Sequence, residues 1–195
     1  MKETGKQLFG EEYFDYSDFK RVEQLTKDNS HIDALLPLIE ISLPASNDTL
    51  ELAENNMRVR GIDGGYSDNF DQLENLKSEI VFVNSLSVYE VYINRDASEV
   101  LKIDEGGNIS VYTRSGKTEF TVLDVLKNGG LAGGGRNPYI LFKLDSLQQL
   151  LKKEGKITNI LVSNKGVGND SLNRSEDVTT FLRSALTNTE VATEI

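Results

Sequence analysis

The chain has 195 residues, of which 38% are hydrophobic and 27% charged, so it can bury the core of one large domain or two small lobes. Its net charge of -10 disfavours binding to nucleic acids and anionic membranes, because both are negatively charged. The absence of cysteine excludes disulfides and thiolate metal sites, and the single histidine, His31, excludes a histidine-rich metal site. No apolar run approaches the length of a membrane span, and residues 1–6 lack the apolar region of a signal peptide.

A helix and a strand are predicted at the start of the chain. Residues 1–14 are interpreted as a lead-in segment, or as one added for expression. Ser17 or Asp18 can cap the helix, whose apolar residues recur every three positions until it ends near Asp28. The apolar, β-rich stretch over 33–43 predicts the strand.

A hairpin, a short helix and a buried strand are predicted next. Pro37 indicates that the first strand has an edge position or a kink, because proline cannot donate a ladder hydrogen bond. A polar turn over 44–48 leads to a hairpin centred on 54–56. Apolar residues spaced three apart predict a helix over 68–77, and an apolar run predicts a buried strand over 80–83.

The stretch 90–127 is predicted to be the central module of the fold and a rigid scaffold. It begins with a strand and one helical turn. It ends in two arms with nearly alternating apolar residues on either side of 114–117, which is typical of a hairpin. We therefore expect substitutions in this module to disturb folding.

The remainder of the chain predicts an α+β protein. A strand, a helix and a strand are expected over 139–162, a last helix over 175–186 and a polar tail over 187–195. Irregular alternation of helices and strands with frequent hairpins favours mixed or antiparallel sheets covered by short packing helices. If the chain forms two lobes, they would comprise 15–88 with 138–186, and 89–137.

A phosphate-loop ending, Gly116-Lys117-Thr118, is the most conspicuous chemical motif. The full motif requires a glycine five residues earlier, where this chain has Val111, and a helix afterwards, where it has an alternating strand pattern. A hairpin turn is therefore the better interpretation.

The stretch 128–138 is the most glycine-rich part of the chain. Its backbone N–H groups could hold an anion, but a strand follows it and no helix N-terminus would face the ligand. We predict a mobile loop that contacts a partner, with a plain connector as the alternative. The partner-contact residues would be Gly129, Gly130, Gly133, Gly134, Gly135 and Arg136.

No catalytic, cofactor-binding or metal site is predicted. Asp63, Asp68 and Asp71 do not have the spacing of a calcium loop, and a hydrolase using Asp63 and Asp71 is a weaker alternative. His31 follows a predicted helix end and has no serine or cysteine partner, so we interpret it as complementing the charge of that helix end. Four N-glycosylation sequons, which permit an extracytoplasmic location, begin at Asn47, Asn108, Asn169 and Asn173.

The order of several segments over 15–186 resembles the ectodomains of ABC transporter permeases of the MacB/FtsX/lipoprotein-release type. The segments are 33–38 after the first helix, 59–63 at the exit of the hairpin, 91–111 with Ile93, Asn94, Leu101, Ile103 and Ile109, and the closing strand–helix–strand. The resemblance implies a non-catalytic domain on the extracytoplasmic side of the membrane, between the first two membrane helices of a permease. Such a domain relays the conformational change of a separate cytoplasmic ATPase, or holds substrates and partner proteins.

This resemblance also implies the partners. They are the membrane-spanning part of the same permease, the ATPase indirectly, and a second permease copy or an extracytoplasmic protein, with no cofactor and no nucleic acid. The alternative is a free-standing protein-binding module. The unit over 94–111 also resembles the strand–turn–strand units of double-psi barrels, as in the amino-terminal domains of valosin-like AAA ATPases. Those domains usually carry two such units, and this sequence shows one.

Overall fold

Eleven strands and three α-helices account for most of residues 13–133 and 137–164, the part of the chain that this computed structural model describes. The strands are β1 Phe14–Asp15, β2 Ile32–Asn47, β3 Leu52–Ile62, β4 Leu73–Glu74, β5 Ile80–Val81, β6 Glu90–Asn94, β7 Asn108–Thr113, β8 Gly116–Leu126, β9 Tyr139–Lys143, β10 Lys156–Ile157 and β11 Asn159–Asn164. The helices are α1 Tyr16–Thr26, α2 Arg95–Leu101 and α3 Leu144–Leu151, with 3₁₀ turns at Val83–Ser85 and Gly130–Ala132. No helix in these residues is long and apolar enough to cross a membrane.

A seven-stranded mixed sheet with the order β11-β2-β3-β9-β6-β8-β7 forms the body of the fold. Strand β7 also pairs back onto β2, where Ala45 faces Val111 and Ser46 faces Ser110. Six strands therefore close into a ring, and β11 lies outside it beside β2. The β3–β9 and β6–β8 pairs are parallel and the other pairs are antiparallel. The predicted α+β class with mixed sheets is confirmed.

The ring consists of two halves with the same arrangement of paired strands, although the strands follow one another in a different order along the chain. In one half, β6 leads into α2 and pairs in parallel with β8 of the β7–β8 hairpin. In the other half, β9 leads into α3 and pairs in parallel with β3 of the β2–β3 hairpin. The halves meet through β6–β9 and β2–β7. The sequence shows one such unit, whereas the structure contains two, because the second is built from segments that are far apart in the chain.

The ring separates two cores. The inner core contains buried residues from all six ring strands, together with apolar residues of the three helices, such as Phe19, Leu101 and Leu147. The outer core lies where the chain between β3 and β6, and the glycine-rich segment, cover the other face of the sheet, with Leu73, Val83, Leu86, Leu131 and Ala132. The predicted central module over 90–127 is confirmed as β6, α2, β7 and β8.

The first hairpin turns earlier than the sequence predicts. The predicted turn over 44–48 and the hairpin centre at 54–56 are wrong, because β2 continues to Asn47 and β3 begins at Leu52. The Asn47 side-chain oxygen accepts hydrogen bonds from the N–H groups of Thr49 and Leu50, which fixes the true turn. A register shift between Leu43 and Ala45 accommodates Pro44 within the strand.

Pro37 lies in a strand that has neighbours on both sides, yet it leaves no ladder bond unmade. The adjacent Leu38 carbonyl faces β11, where it accepts a hydrogen bond from the Thr158 N–H group. Successive backbone groups point to opposite sides of a strand, so Pro37 faces the β3 side. There β3 has already ended, because its last residue, Ile62, pairs with Leu38. Pro37 therefore has no strand beside it on the side where its N–H group is missing, although β2 is an internal strand.

Three other predicted elements differ from the structure. No helix forms over 68–77, which instead contains β4, and the buried strand over 80–83 is reduced to β5, where Ile80 is exposed. The closing strand is divided at Thr158 into β10 and β11. The helix over 175–186, the tail and most of the lead-in lie outside the described residues. The two lobes stay a prediction, although β9 of one lobe and β6 of the other share this sheet.

Candidate functional site

The first part of the predicted glycine loop is packed onto the sheet. Leu131 and Ala132 are buried in the outer core, and the Leu131 carbonyl accepts a 2.8 Å hydrogen bond from Nη1 of Arg60. Burial and this charge-assisted bond hold the chain at Gly130–Ala132 against the β3 strand. The predicted loop is therefore packed at Leu131 to Gly133, and its partner-contact role stays a prediction. The predicted contact residues Gly134, Gly135 and Arg136 lie outside the described part of the chain.

A charged cluster around Glu40 and Arg60 anchors this segment to the sheet. Arg60 is buried and donates from Nε and Nη2 to one carboxylate oxygen of Glu40, at 3.0 and 2.7 Å. The other Glu40 oxygen accepts from Nη1 of Arg58 at 3.2 Å and from the Tyr139 hydroxyl at 3.1 Å. Burial, followed by the Glu40 charge, raises the pKa of Tyr139. The cluster is satisfied by its own members, so it anchors the segment and offers no free catalytic group.

Gly133 lies directly against the ring of Tyr139. A Cβ at this position would lie 2.1 Å from Cδ2 of that ring, and the residue has a φ of +85°. Both the close approach and the left-handed backbone require glycine here. The glycine content of this segment is thus partly explained by packing.

Asn94 anchors the other end of the segment. Its side-chain oxygen accepts hydrogen bonds from the N–H groups of Ala97 and Tyr139, both at 2.9 Å. Its amide nitrogen donates to the carbonyl of Asn137 at 2.9 Å. One buried side chain therefore caps α2 and joins it to the start of β9. Asn94 is part of the family-like pattern in the sequence, but its contact with β9 could not be inferred from spacing.

The Lys117 of the phosphate-loop ending belongs to a hairpin. Thr113 pairs with Gly116 across a two-residue turn, as predicted, and β8 follows. Lys117 Nζ lies 2.8 Å from the carboxylate of Asp48, which also accepts hydrogen bonds from Ser46 and Ser110 at the β2–β7 junction. These three groups, Lys117 first, hold the pKa of Asp48 well below its usual range. The lysine therefore forms an exposed ion pair beside the β2–β7 junction.

Of the acidic candidates, Asp63 has hydrogen-bond partners. Asp63 accepts from the Tyr16 hydroxyl at 2.7 Å and from the Gly65 N–H group at 3.0 Å, whereas Asp71 packs beside Gly130. His31 is exposed in the turn before β2. Within residues 13–133 and 137–164, no group of three or more histidine, aspartate or glutamate residues could hold a metal ion.

A cleft of about 350 Å³ lies where α1, the end of β3 and the start of α3 meet. Its charged side chains are those of Asp63, Lys143 and Asp145, and the last two lie 3.5 Å apart. Asp63 is already bonded to Tyr16. The cleft therefore brings together an internally paired set of charges, without a nucleophile placed beside a base.

The sequons differ in exposure. Asn47 is buried, and its amide nitrogen donates to the Leu101 carbonyl at 3.0 Å, so this sequon serves the fold. Asn108 is exposed at the start of β7, where its amide nitrogen donates to Glu119. The sequons at Asn169 and Asn173 lie outside the described residues.

Exposed apolar side chains between β5 and β6 are the feature that sequence reasoning missed. Four large ones have exposed fractions of 48% for Ile80, 61% for Phe82, 50% for Val88 and 66% for Tyr89. The run Ile80-Val81-Phe82-Val83 was expected to be buried because it is wholly apolar. Instead Val81 and Val83 face the outer core and their neighbours face outward. The only sequence signal for these exposed side chains was that the run is apolar at every position, so a strand buried on one face would have to expose the alternate residues.

The chain enters and leaves the described fold toward the same end of the sheet. Strand β1 pairs antiparallel with β10, with Phe14 opposite Ile157. One residue separates β10 from β11, which continues to Asn164. The direction from which the chain reaches Phe14 is therefore the direction in which it departs through β11.

Neither a protein-family model nor a curated protein sequence matches the chain. Among solved structures, it is similar to the extracellular domain of the noncanonic ABC-type transporter YknZ from Gram-positive bacteria, with a TM-score of 0.58 and 14% identity over 97% of this chain and 93% of that one. It is also similar to the periplasmic region of MacB from Actinobacillus actinomycetemcomitans, with a TM-score of 0.54 and 14% identity over 85% and 72% of the two chains. The chain thus has the fold of these ABC-transporter domains, and the resemblance predicted from its sequence is confirmed at the level of fold.

Proposed function

We propose that the chain is a non-catalytic extracytoplasmic domain of an ABC transporter permease. The observation that carries this proposal is the common direction of entry and exit through β1 and β11, in a chain with the fold of such domains. A domain inserted between two membrane helices must receive and return its chain on the side that faces the bilayer. Strands β1 and β11 that ran in the same direction would have contradicted this role.

The proposed role is to relay motion from the membrane part of the permease, and indirectly from its ATPase, to partners outside. The hydrogen-bonded ring supports this role, because a closed sheet resists local deformation and moves as a unit. The partner is a second permease copy or an extracytoplasmic protein. The glycine segment remains a proposed contact, with Arg136 as its charged residue.

A second candidate function is that of a free-standing protein-binding module. The pseudo-symmetric closed ring favours it, because interlocked halves are a feature of double-psi barrels. The two candidates differ in where the chain resides, since only a permease domain is tied to a membrane and exposed on its outer side.

Cysteine labelling of the protein expressed from its full gene distinguishes these candidates. The chain has no cysteine, so Glu99→Cys and Glu154→Cys each create a unique thiol at an exposed position. We expect a membrane-impermeant maleimide to label both variants in intact cells, and the labelled protein to be in the membrane fraction. Labelling that requires cell lysis, or a labelled protein that stays soluble, would contradict the permease role.

The contact role of the glycine segment needs a separate measurement. We expect Arg136→Ala to reduce cross-linking of the permease to its partner without lowering thermal stability. An unfolded variant, or cross-linking at the wild-type level, would assign Arg136 no contact role.

A further inference from the structure

Asn128 and Gly129 form the only Asn-Gly step in the chain, at the start of the glycine segment. Such a step is especially prone to spontaneous deamidation, because glycine has no Cβ to shield its backbone nitrogen from the asparagine side chain. Asn128 is exposed, and Gly129 has a φ of +140°, which favours glycine at this position. The fold therefore places a chemically labile dipeptide at the surface, where its second residue needs to be glycine.

The structure restrains both groups that would react. The Asn128 amide nitrogen, which would leave, donates a 2.8 Å hydrogen bond to Oδ1 of Asp96 in α2. The Gly129 nitrogen, which would attack, donates a 2.7 Å hydrogen bond to the Gly133 carbonyl. Attack requires the glycine nitrogen to lose its proton and turn toward the asparagine side chain. Both hydrogen bonds therefore oppose the reaction while they persist.

The surroundings of Asp96 do not suit a second carboxylate. Its Oδ1 accepts the bond from Asn128, and its buried Oδ2 has no hydrogen-bond partner in the described part of the chain. It also forms no salt bridge with a described lysine or arginine. Another carboxylate, that of Asp71, lies beside Gly130. An aspartate at position 128 would therefore remove the donor that Asp96 has and add a like charge at the same point.

We propose that Asn128 is a site of spontaneous modification, and that its conversion to a carboxylate releases the start of the glycine segment from α2. The Gly129 nitrogen loses its proton and bonds to Cγ of Asn128, and the side-chain nitrogen takes up a proton and leaves as ammonia. Water then opens the resulting succinimide at either carbonyl, which gives aspartate or isoaspartate. Because hydrolysis does not restore the amide, the release is irreversible, while Leu131 and Ala132 remain buried.

Peptide mass spectrometry of the purified protein, aged in mildly alkaline buffer, measures the reaction. In urea, we expect Asn128 to deamidate several-fold faster than Asn108, an exposed asparagine that is followed by the β-branched Ile109. In the folded protein, Asp96→Ala should accelerate the reaction at Asn128 about ten-fold, because it removes one charge-assisted hydrogen bond. Asp96→Asn retains an acceptor oxygen and should stay close to the wild-type rate. Equal rates at the two asparagines in urea, or equal rates in the two Asp96 variants, would overturn the proposal.

Asn128→Asp reproduces one product and tests the release. We expect amide hydrogen exchange at Gly129 to accelerate about ten-fold, and exchange at Leu141 within β9 to stay unchanged. Adding Asp96→Asn should restore slow exchange, because the new amide can donate to the carboxylate at position 128. Unchanged exchange at Gly129 in Asn128→Asp, or no recovery in the double variant, would overturn the release. Neither result bears on the membrane role, which the cysteine labelling tests separately.

Discussion

Replacement of Asn94 by alanine should destabilise the fold strongly, because this side chain satisfies three backbone groups at once. It is 1% exposed, and it accepts from the N–H groups of Ala97 and Tyr139 and donates to the Asn137 carbonyl. An unsatisfied buried N–H group costs about 1–3 kcal/mol. With two such groups left behind, we expect the free energy of unfolding to fall by about 3–4 kcal/mol.

Serine at this position separates the two roles of Asn94. A serine hydroxyl can still cap α2 at Ala97, but its shorter side chain does not reach Tyr139. We therefore expect Asn94→Ser to recover about 1 kcal/mol of the loss, which is the typical value of a helix cap. Asn108→Ala, at an exposed asparagine, is the control.

Urea titration gives the stability of each variant, and amide hydrogen exchange locates the effect. Exchange at Tyr139 should accelerate in both Asn94 variants, whereas exchange at Ala97 should accelerate in the alanine variant alone. A loss below about 1 kcal/mol for Asn94→Ala would refute the argument that these bonds are buried and irreplaceable. Equal exchange at Tyr139 in the wild type and both variants would refute the proposed link to β9.

Three further predictions concern packing and charge. Gly106→Ala should lower the free energy of unfolding by about 1 kcal/mol, because the residue has a positive φ but a Cβ there has free space. Gly133→Ala should lower it at least twice as much, because its φ is also positive and its Cβ would clash with the Tyr139 ring. Thermal denaturation measures both. Val111→Asp should leave no folded protein by circular dichroism, because it buries an unpaired carboxylate in the inner core; a folded variant would contradict the scaffold role. The Asp48 pKa is lower in the folded chain, so its stabilisation is present above the unfolded pKa of about 4 and is lost as pH falls toward the folded value. Urea titrations should therefore show that Asp48→Asn lowers the free energy of unfolding at pH 7, and that the difference from the wild type shrinks as the pH is lowered. A difference that is the same at every pH would contradict a role for the Asp48 charge.

The elements that were predicted well are those whose stabilising contacts join residues close together in the sequence. The β7–β8 hairpin has alternating apolar residues in both arms and a glycine at the turn, so its pattern determines its pairing. Helix α1 begins one residue before Ser17, although the predicted caps Ser17 and Asp18 are wrong because Asp15 occupies the N-cap and no side chain bonds there. The helix predicted within 139–162 is confirmed as α3. In these cases the spacing of the apolar residues and the residue types at the turns indicate the same structure.

The errors occur where a distant residue decides the local structure. Asn47 resembles a turn residue, yet it is buried because its amide reaches the carbonyl of Leu101, 54 residues away. Asn75 interrupts the predicted helix over 68–77, because its side chain bonds to Glu79 and, across 49 residues, to Asp124. The glycine segment looked mobile from composition, but Arg60 and Asn94 hold it. These distant hydrogen-bond partners cannot be inferred from the composition of a segment or from its hydrophobic pattern.

The glycine segment and the chain between β5 and β6 are connected through one packed layer. Val83 and Leu86 belong to the same outer core as Leu131 and Ala132. Packed cores transmit displacement because they contain few voids. Under the proposed function, a partner bound at the glycine segment would press on this layer, against which Leu161 of β11 also packs. The relay would therefore need no hinge within the domain, because the outer core joins the contact segment to the strand through which the chain leaves the described fold.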